Sequence, residues 1–131
     1  MRHRIVHKSD FLTIEYNAVD DFLHVIWTIG QSSDTIREGY EHVLSHIRSE
    51  FCRKVLDDQR HIQGIWVDIA DWVVSDWYPR AQQAGLASHV VIYPEDFFGK
   101  RSTEEALRRI PGGGIVGFED ALAAERYLVS L

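Results

Sequence analysis

Cysteine is nearly missing: Cys52 stands alone in 131 residues, so no disulfide can close within the chain. A small secreted scaffold stapled by disulfides is excluded, and a reducing compartment is the expectation. Basic residues are fewer than acidic ones, 14 against 20, and the net charge of −6 comes with no long Lys/Arg run. That balance argues against a general nucleic-acid binder, which neutralises phosphates with clustered cations. Long hydrophobic runs are also lacking. Nothing approaches the ~20 apolar residues that span a bilayer, so no stable membrane insertion is expected, and the opening MRHRIVHK holds too short an apolar run for a signal-peptide core. Only one short proline and glycine cluster interrupts the chain, and no linker separates two parts. The expectation is a cytoplasmic protein with one domain over 1–131, long enough to bury roughly two thirds of its unfolded surface.

What is present is an ordinary globular mixture, 45% hydrophobic and 26% charged. FLTIEYN (11–17) and FLHVIWTI (22–29) are rich in β-branched and aromatic residues and flank AVDD, which predicts an antiparallel hairpin. From Ile36 onward Tyr40, Val43, Leu44, Ile47 and Phe51 follow helical spacing, with a capping box proposed between Thr35 and Glu38. Gly39 interrupts that helix, a sign that something approaches closely there. KVLDD (54–58) predicts a short strand, after which Asp68 can cap a helix carrying Ile69, Trp72, Val73 and Trp77. Pro79 falls inside that pattern and should kink or restart the helix near Tyr78, and Gly85 suits a left-handed C-terminal cap. SHVVIYP (88–94) predicts a strand buried on both faces, Ser102 with Glu105 the start of a helix reaching Ile110, and PGGG (111–114) a turn. IVGF supplies the last strand, and Glu119 and Asp120 lead a terminal helix. The resulting order, ββαβαβαβα, predicts an α/β fold whose mixed sheet is mostly parallel after an N-terminal antiparallel hairpin, with about four helices packed on it.

Trp27 with Gly30, LDDQR (56–60), DWVVSDWYPRA (71–81) before AGL, VVIYPEDFF (90–98) and FEDALAAERYL (118–128) together resemble the SpoIIAA-like members of the STAS superfamily. The resemblance implies a right-handed βα superhelix as in anti-sigma-factor antagonists, and through some relatives a likeness to lipid-binding domains of the Sec14 type. It also implies a phosphorylatable serine at the N-terminus of the helix after the third strand. The corresponding stretch here, DDQRHIQGIWVDIADW, contains no serine or threonine, so the phospho-switch does not transfer.

Several groups merit weighing as chemistry. Asp57 and Asp58 end a parallel strand, where open α/β sheets place ligands, with Arg60 and His61 close behind. Neighbouring strand residues point to opposite faces, so loop capping with an arginine partner is the competing reading. His42 and His46, with Glu38 before them, have the spacing of a helical metal pair but lie off the apolar stripe, and a solvated face is preferred to a metal site. GGGIVG lacks the ending of a phosphate loop, and Cys52 reads as a packing residue. No catalytic constellation emerges, and no cofactor is called. Trp66, Trp77 and Tyr78 cannot all face the sheet at helical spacing, so plain core or subunit packing is preferred for most of this surface, an aromatic cleft wall completed by Asp58, Arg60 and Arg80 is the competing reading, and two-fold pairing into a homodimer is expected. Phe97 and Phe98 beside Lys100 and Arg101 could touch a membrane surface, but burial against the sheet at a strand-to-helix corner is the preferred reading. The expectation is a non-enzymatic STAS-like binding or regulatory domain with a protein partner, or a carrier or sensor of a small apolar ligand or lipid that visits membranes.

Overall fold

Sequence alternation builds the sheet, and the crossover rule places the helices. The structure, a computed structural model, describes residues 3–64, 66–110 and 114–131. Six strands lie in sequence order across one sheet: β1 (His3–Lys8), β2 (Leu12–Asn17), β3 (Phe22–Trp27), β4 (Lys54–Asp58), β5 (Ser88–Ile92) and β6 (Ile115–Phe118). The first three are antiparallel and the rest parallel, so the sheet is mixed as expected. The hairpin is one strand larger than the sequence suggests. HRIVHK carries only two apolar residues, enough for an exposed edge strand, and its register shifts between Ile5 and His7.

Crossovers of the usual hand, stepping one way from β3 to β6, put their helices on one face. These are α1 (Ser33–Ser49), a continuous rod of α2 (Val67–Trp72), a π turn (Val73–Trp77) and α3 (Tyr78–Gln83), and α4 (Phe97–Arg108). The last helix, α5 (Ala121–Val129), covers the opposite face, where Ala124 and Leu128 pack on Phe22, Leu56, Val90 and Ile92. The chain is thus α/β with four helical rods on a six-stranded sheet.

Local chemistry corrects several expected boundaries. The capping box of α1 joins Ser32 to Thr35, not Thr35 to Glu38: the Thr35 N–H donates to Ser32 Oγ at 3.2 Å and the Ser32 N–H to Thr35 Oγ1 at 2.8 Å. Helix α2 has Trp66 at its N-cap with no side-chain bond, so Asp68 lies inside the first turn. Helix α4 begins at Phe97, five residues before Ser102, because Asp96 accepts the N–H groups of both Gly99 and Gly64. Gly85, at φ 116°, follows the C-cap of α3 as expected. The turn assigned to 111–114 lies largely outside the described residues.

Pro79 acts upstream of itself. It has no N–H for the Ser75 carbonyl, and the rod accommodates this through the π turn, in which the Tyr78 N–H reaches back to the Val73 carbonyl. The wider turn rotates everything after it relative to 3.6-residue spacing. Trp77 and Tyr78 therefore come back toward the sheet and are buried, which removes the aromatic excess that suggested a cleft wall and two-fold pairing. Gly39 meets its expectation. A Cβ there would lie 2.6 Å from Trp27 Cη2, so only glycine lets α1 settle on that indole.

Candidate functional site

On the face beneath α1, α2 and α4, the core is organised around a carboxylate. Alternation along β4 turns Asp57 toward these helices, where it is 1% exposed. Trp27 Nε1 donates to Oδ1 at 2.7 Å, while the Tyr40 hydroxyl at 2.8 Å, Gln59 Nε2 at 3.1 Å and His89 Nε2 at 2.9 Å converge on Oδ2. An ionised carboxylate only accepts, so His89 presents its Nε2–H here and keeps Nδ1 free. The set extends outward: Thr103 donates to Gln59 Oε1, and Trp77 Nε1 donates to the Tyr40 carbonyl. Burial first, then the Asp57 charge and its hydrogen bond, push the Tyr40 hydroxyl well above the ordinary tyrosine range.

Beside this network, between α2 and α4, lies a partly open cavity of about 60 Å³. Tyr40, Gln59 and His89 form its polar floor, Ile62, Ile69, Val73, Val91, Ile110 and Ile115 are among its aliphatic walls, and Trp66, Ser102 and Thr103 stand at its α2 and α4 sides. Two nitrogens of these wall residues, His89 Nδ1 and Trp66 Nε1, are buried without a partner among the described residues. Ser102 fixes the local backbone, accepting the Trp66 N–H at 3.2 Å.

The sequence candidates are distributed over separate places. Trp66 alone of the expected cleft residues lines the cavity. Trp77 is fully buried between Tyr40 and His89, and Tyr78 stacks on His89, its hydroxyl pushed up to about 12 by burial. Asp58 and Arg60 sit on the opposite face, where Arg60 bonds both carboxylate oxygens at 2.9 and 2.7 Å. Burial alone would raise the Asp58 carboxyl, but His24 at 3.8 Å and the Arg60 fork hold it well below the usual carboxylate range. Arg80 is a surface residue paired with Glu41 and Asp76 and lying over Trp72. His42 stacks on His7 of β1 with ring centroids 4.1 Å apart, and no cluster of three or more His, Cys, Asp or Glu able to hold a metal occurs among the described residues. Cys52 is buried, and burial pushes its thiol up.

Phe97 and Phe98 are not buried at the corner: they are 65% and 55% exposed at the start of α4, edge to face, with Arg101 over the Phe97 ring and Lys100 paired with Glu119. No helix among the described residues is long and apolar enough to cross a membrane. His89 is the residue sequence reasoning overlooked most plainly. One imidazole inside the apolar run SHVVIYP signals a buried polar partner, and Tyr40, Gln59 and Thr103 follow from it only in three dimensions. No family model, curated protein or solved structure matches the chain, so the site stands on its own geometry.

Proposed function

We propose that the chain is a non-enzymatic, STAS-like binding domain that holds a small, largely apolar ligand in the cavity between α2 and α4, as a carrier or sensor. One observation carries this reading: an apolar chamber over the sheet whose wall residues include two buried nitrogens that no described residue satisfies. Concave sites with many aliphatic walls and a few convergent polar groups are the usual form of a small-molecule site. Asp57 already accepts from four donors, so the nearest carboxylate serves as structure more than as an acid or base. The STAS-like part rests on the sequence resemblance, which a mixed sheet of this kind suits.

Native mass spectrometry of the full chain purified from its own host tests the reading. A small non-covalent adduct is expected, and Ala106→Leu, which adds three carbons to the cavity wall, should remove it while the chain stays folded. An adduct-free wild type, or an adduct indifferent to Ala106→Leu, overturns the reading. Exposed Phe97 and Phe98, one helical turn before the cavity-lining Ser102, favour a second reading in which the ligand is exchanged at a membrane surface.

A further inference from the structure

We infer that the cavity selects a neutral small alcohol, and discriminates against the carboxylate of the same length; this rests on the ligand-binding reading above and specifies its ligand. Size comes first. About 60 Å³, well under the ~150 Å³ of a cavity that takes a benzene ring, leaves room for only a few heavy atoms, so the ligand is a short chain carrying one polar end, its far end at the cavity's open side.

Charge comes second. Among the described residues lining the cavity there is no Asp, Glu, Lys or Arg; the only ionisable side chains are Tyr40 and His89. The Tyr40 hydroxyl and His89 Nε2 are both engaged by Asp57. A carboxylate ligand would lose its hydration with no free cation to receive it, and it would lie near the Asp57 charge. An ammonium would find no free carboxylate, since Asp57 lies behind its own donors. Ions are therefore excluded by desolvation, and a neutral molecule is not.

Hydrogen-bond valence comes third. Gln59 is taken on both ends, by Thr103 at Oε1 and by Asp57 and Tyr40 at Nε2. Wholly without a partner among the described residues are one donor, the Trp66 indole N–H, and one acceptor, the His89 Nδ1 lone pair left by the Nε2–H bond to Asp57; beside them the Ser102 hydroxyl, which accepts the Trp66 backbone N–H, keeps its own O–H, and Thr103 Oγ1 keeps a lone pair. A hydroxyl matches that pair, accepting from the indole and donating to the imidazole. An ether can only accept, and an alkane can do neither.

The test follows indole and methyl resonances of the full chain by NMR near pH 7.5 during titration with 1-butanol, butanoate and diethyl ether, which share a five- or six-atom frame. The inference requires that 1-butanol move the Trp66 indole N–H signal and bind at least about tenfold more tightly than either competitor. Trp66→Phe, which keeps an aromatic wall and deletes the N–H, should weaken 1-butanol by about threefold to tenfold and leave the ether unchanged. If butanoate or the ether shifts the Ile69, Val91 and Ile110 methyls as effectively as 1-butanol, the alcohol assignment is overturned while the cavity remains a ligand site. If none of the three moves those methyls, the inference falls together with the reading beneath it.

Discussion

Asp57 and Asp58 are adjacent, nearly identical in burial at 1% and 2% exposed, and chemically unalike. Strand alternation sends one to each face of the sheet. Asp57 meets an indole, a phenol, an amide and an imidazole, none of them a fixed cation. Asp58 meets the guanidinium of Arg60, whose side chain is 42% exposed, with His24 nearby. The difference teaches that the face beneath α1, α2 and α4 uses a carboxylate to tie three helices and three strands into one network, whereas the α5 face uses one as half of a local ion pair. The same contrast explains why the partly open cavity lies on the first face. Polar groups there are committed inward and leave an apolar chamber beside them.

The largest effect should come from breaking the first network. Asp57→Ala strands four buried donors at once, and a loss of about 3 to 5 kcal/mol is expected from chemical denaturation. Asp58→Ala releases Arg60 to water and should cost only about 1 to 2 kcal/mol. Equal losses would erase the contrast between the faces. Next in size is Gly39→Ala, which pushes a methyl into the Trp27 ring and so disturbs the indole bonded to Asp57. A destabilisation of about 1 to 3 kcal/mol, visible as a lower denaturant midpoint, is expected on the scale of core overpacking. A neutral Gly39→Ala would mean that α1 can move away without loss.

Most of the architecture was legible because period-2 and period-3.6 patterns are local. FLHVIW, KVLDD and SHVVI read correctly as strands, and Gly39 announced a close approach whose partner, Trp27, only the fold reveals. What escaped had non-local or non-standard causes. HRIVHK is held in the sheet by its neighbour more than by its own composition. The π turn breaks the assumption of 3.6 residues per turn on which a cleft wall of Trp66, Trp77 and Tyr78 rests, and Trp77 and Tyr78 both lie in the core. Asp96 starts α4 early by binding Gly64 as well as Gly99, a contact across 32 residues that no local pattern encodes. For the site, Trp66 was visible, while His89, Tyr40, Gln59 and Thr103 come from four elements or loops and converge only after folding.

A smaller effect comes from the edge of the same helical face, where His7 of β1 meets His42 and His46 of α1. Burial, then the neighbouring imidazoles, lower His7, with Glu38 opposing; burial and His42 lower His46, with Glu50 opposing and Arg4 adding to the shift. A folded-state value below the unfolded one means that the unfolded chain takes up protons first as the pH falls. Stability should therefore be full above about pH 6.5 and decline below it, down to the lowered folded values. His42→Gln removes a shared neighbour and should flatten that decline in thermal melts between pH 7 and 5. An unchanged slope would show that the cluster is too well hydrated to matter.

The smallest stability effect belongs to the exposed end of α4, and there the informative readout is binding. Phe97 and Phe98 are both more than half exposed, so replacing the two with serine should alter unfolding free energy by no more than about 0.5 kcal/mol. If they insert into a membrane surface, the wild type should co-sediment with phosphatidylserine-containing vesicles and the double variant should not. Lys100 is engaged by Glu119 and Arg101 lies over the Phe97 ring, so the contact should draw more on the aromatic rings than on charge and weaken only modestly in salt. A double variant that still binds vesicles, or a wild type that never does, removes the exchange reading. A loss above about 1 kcal/mol would instead show that the two rings pack within the protein, which would make α4 part of the same tightly tied face as Asp57.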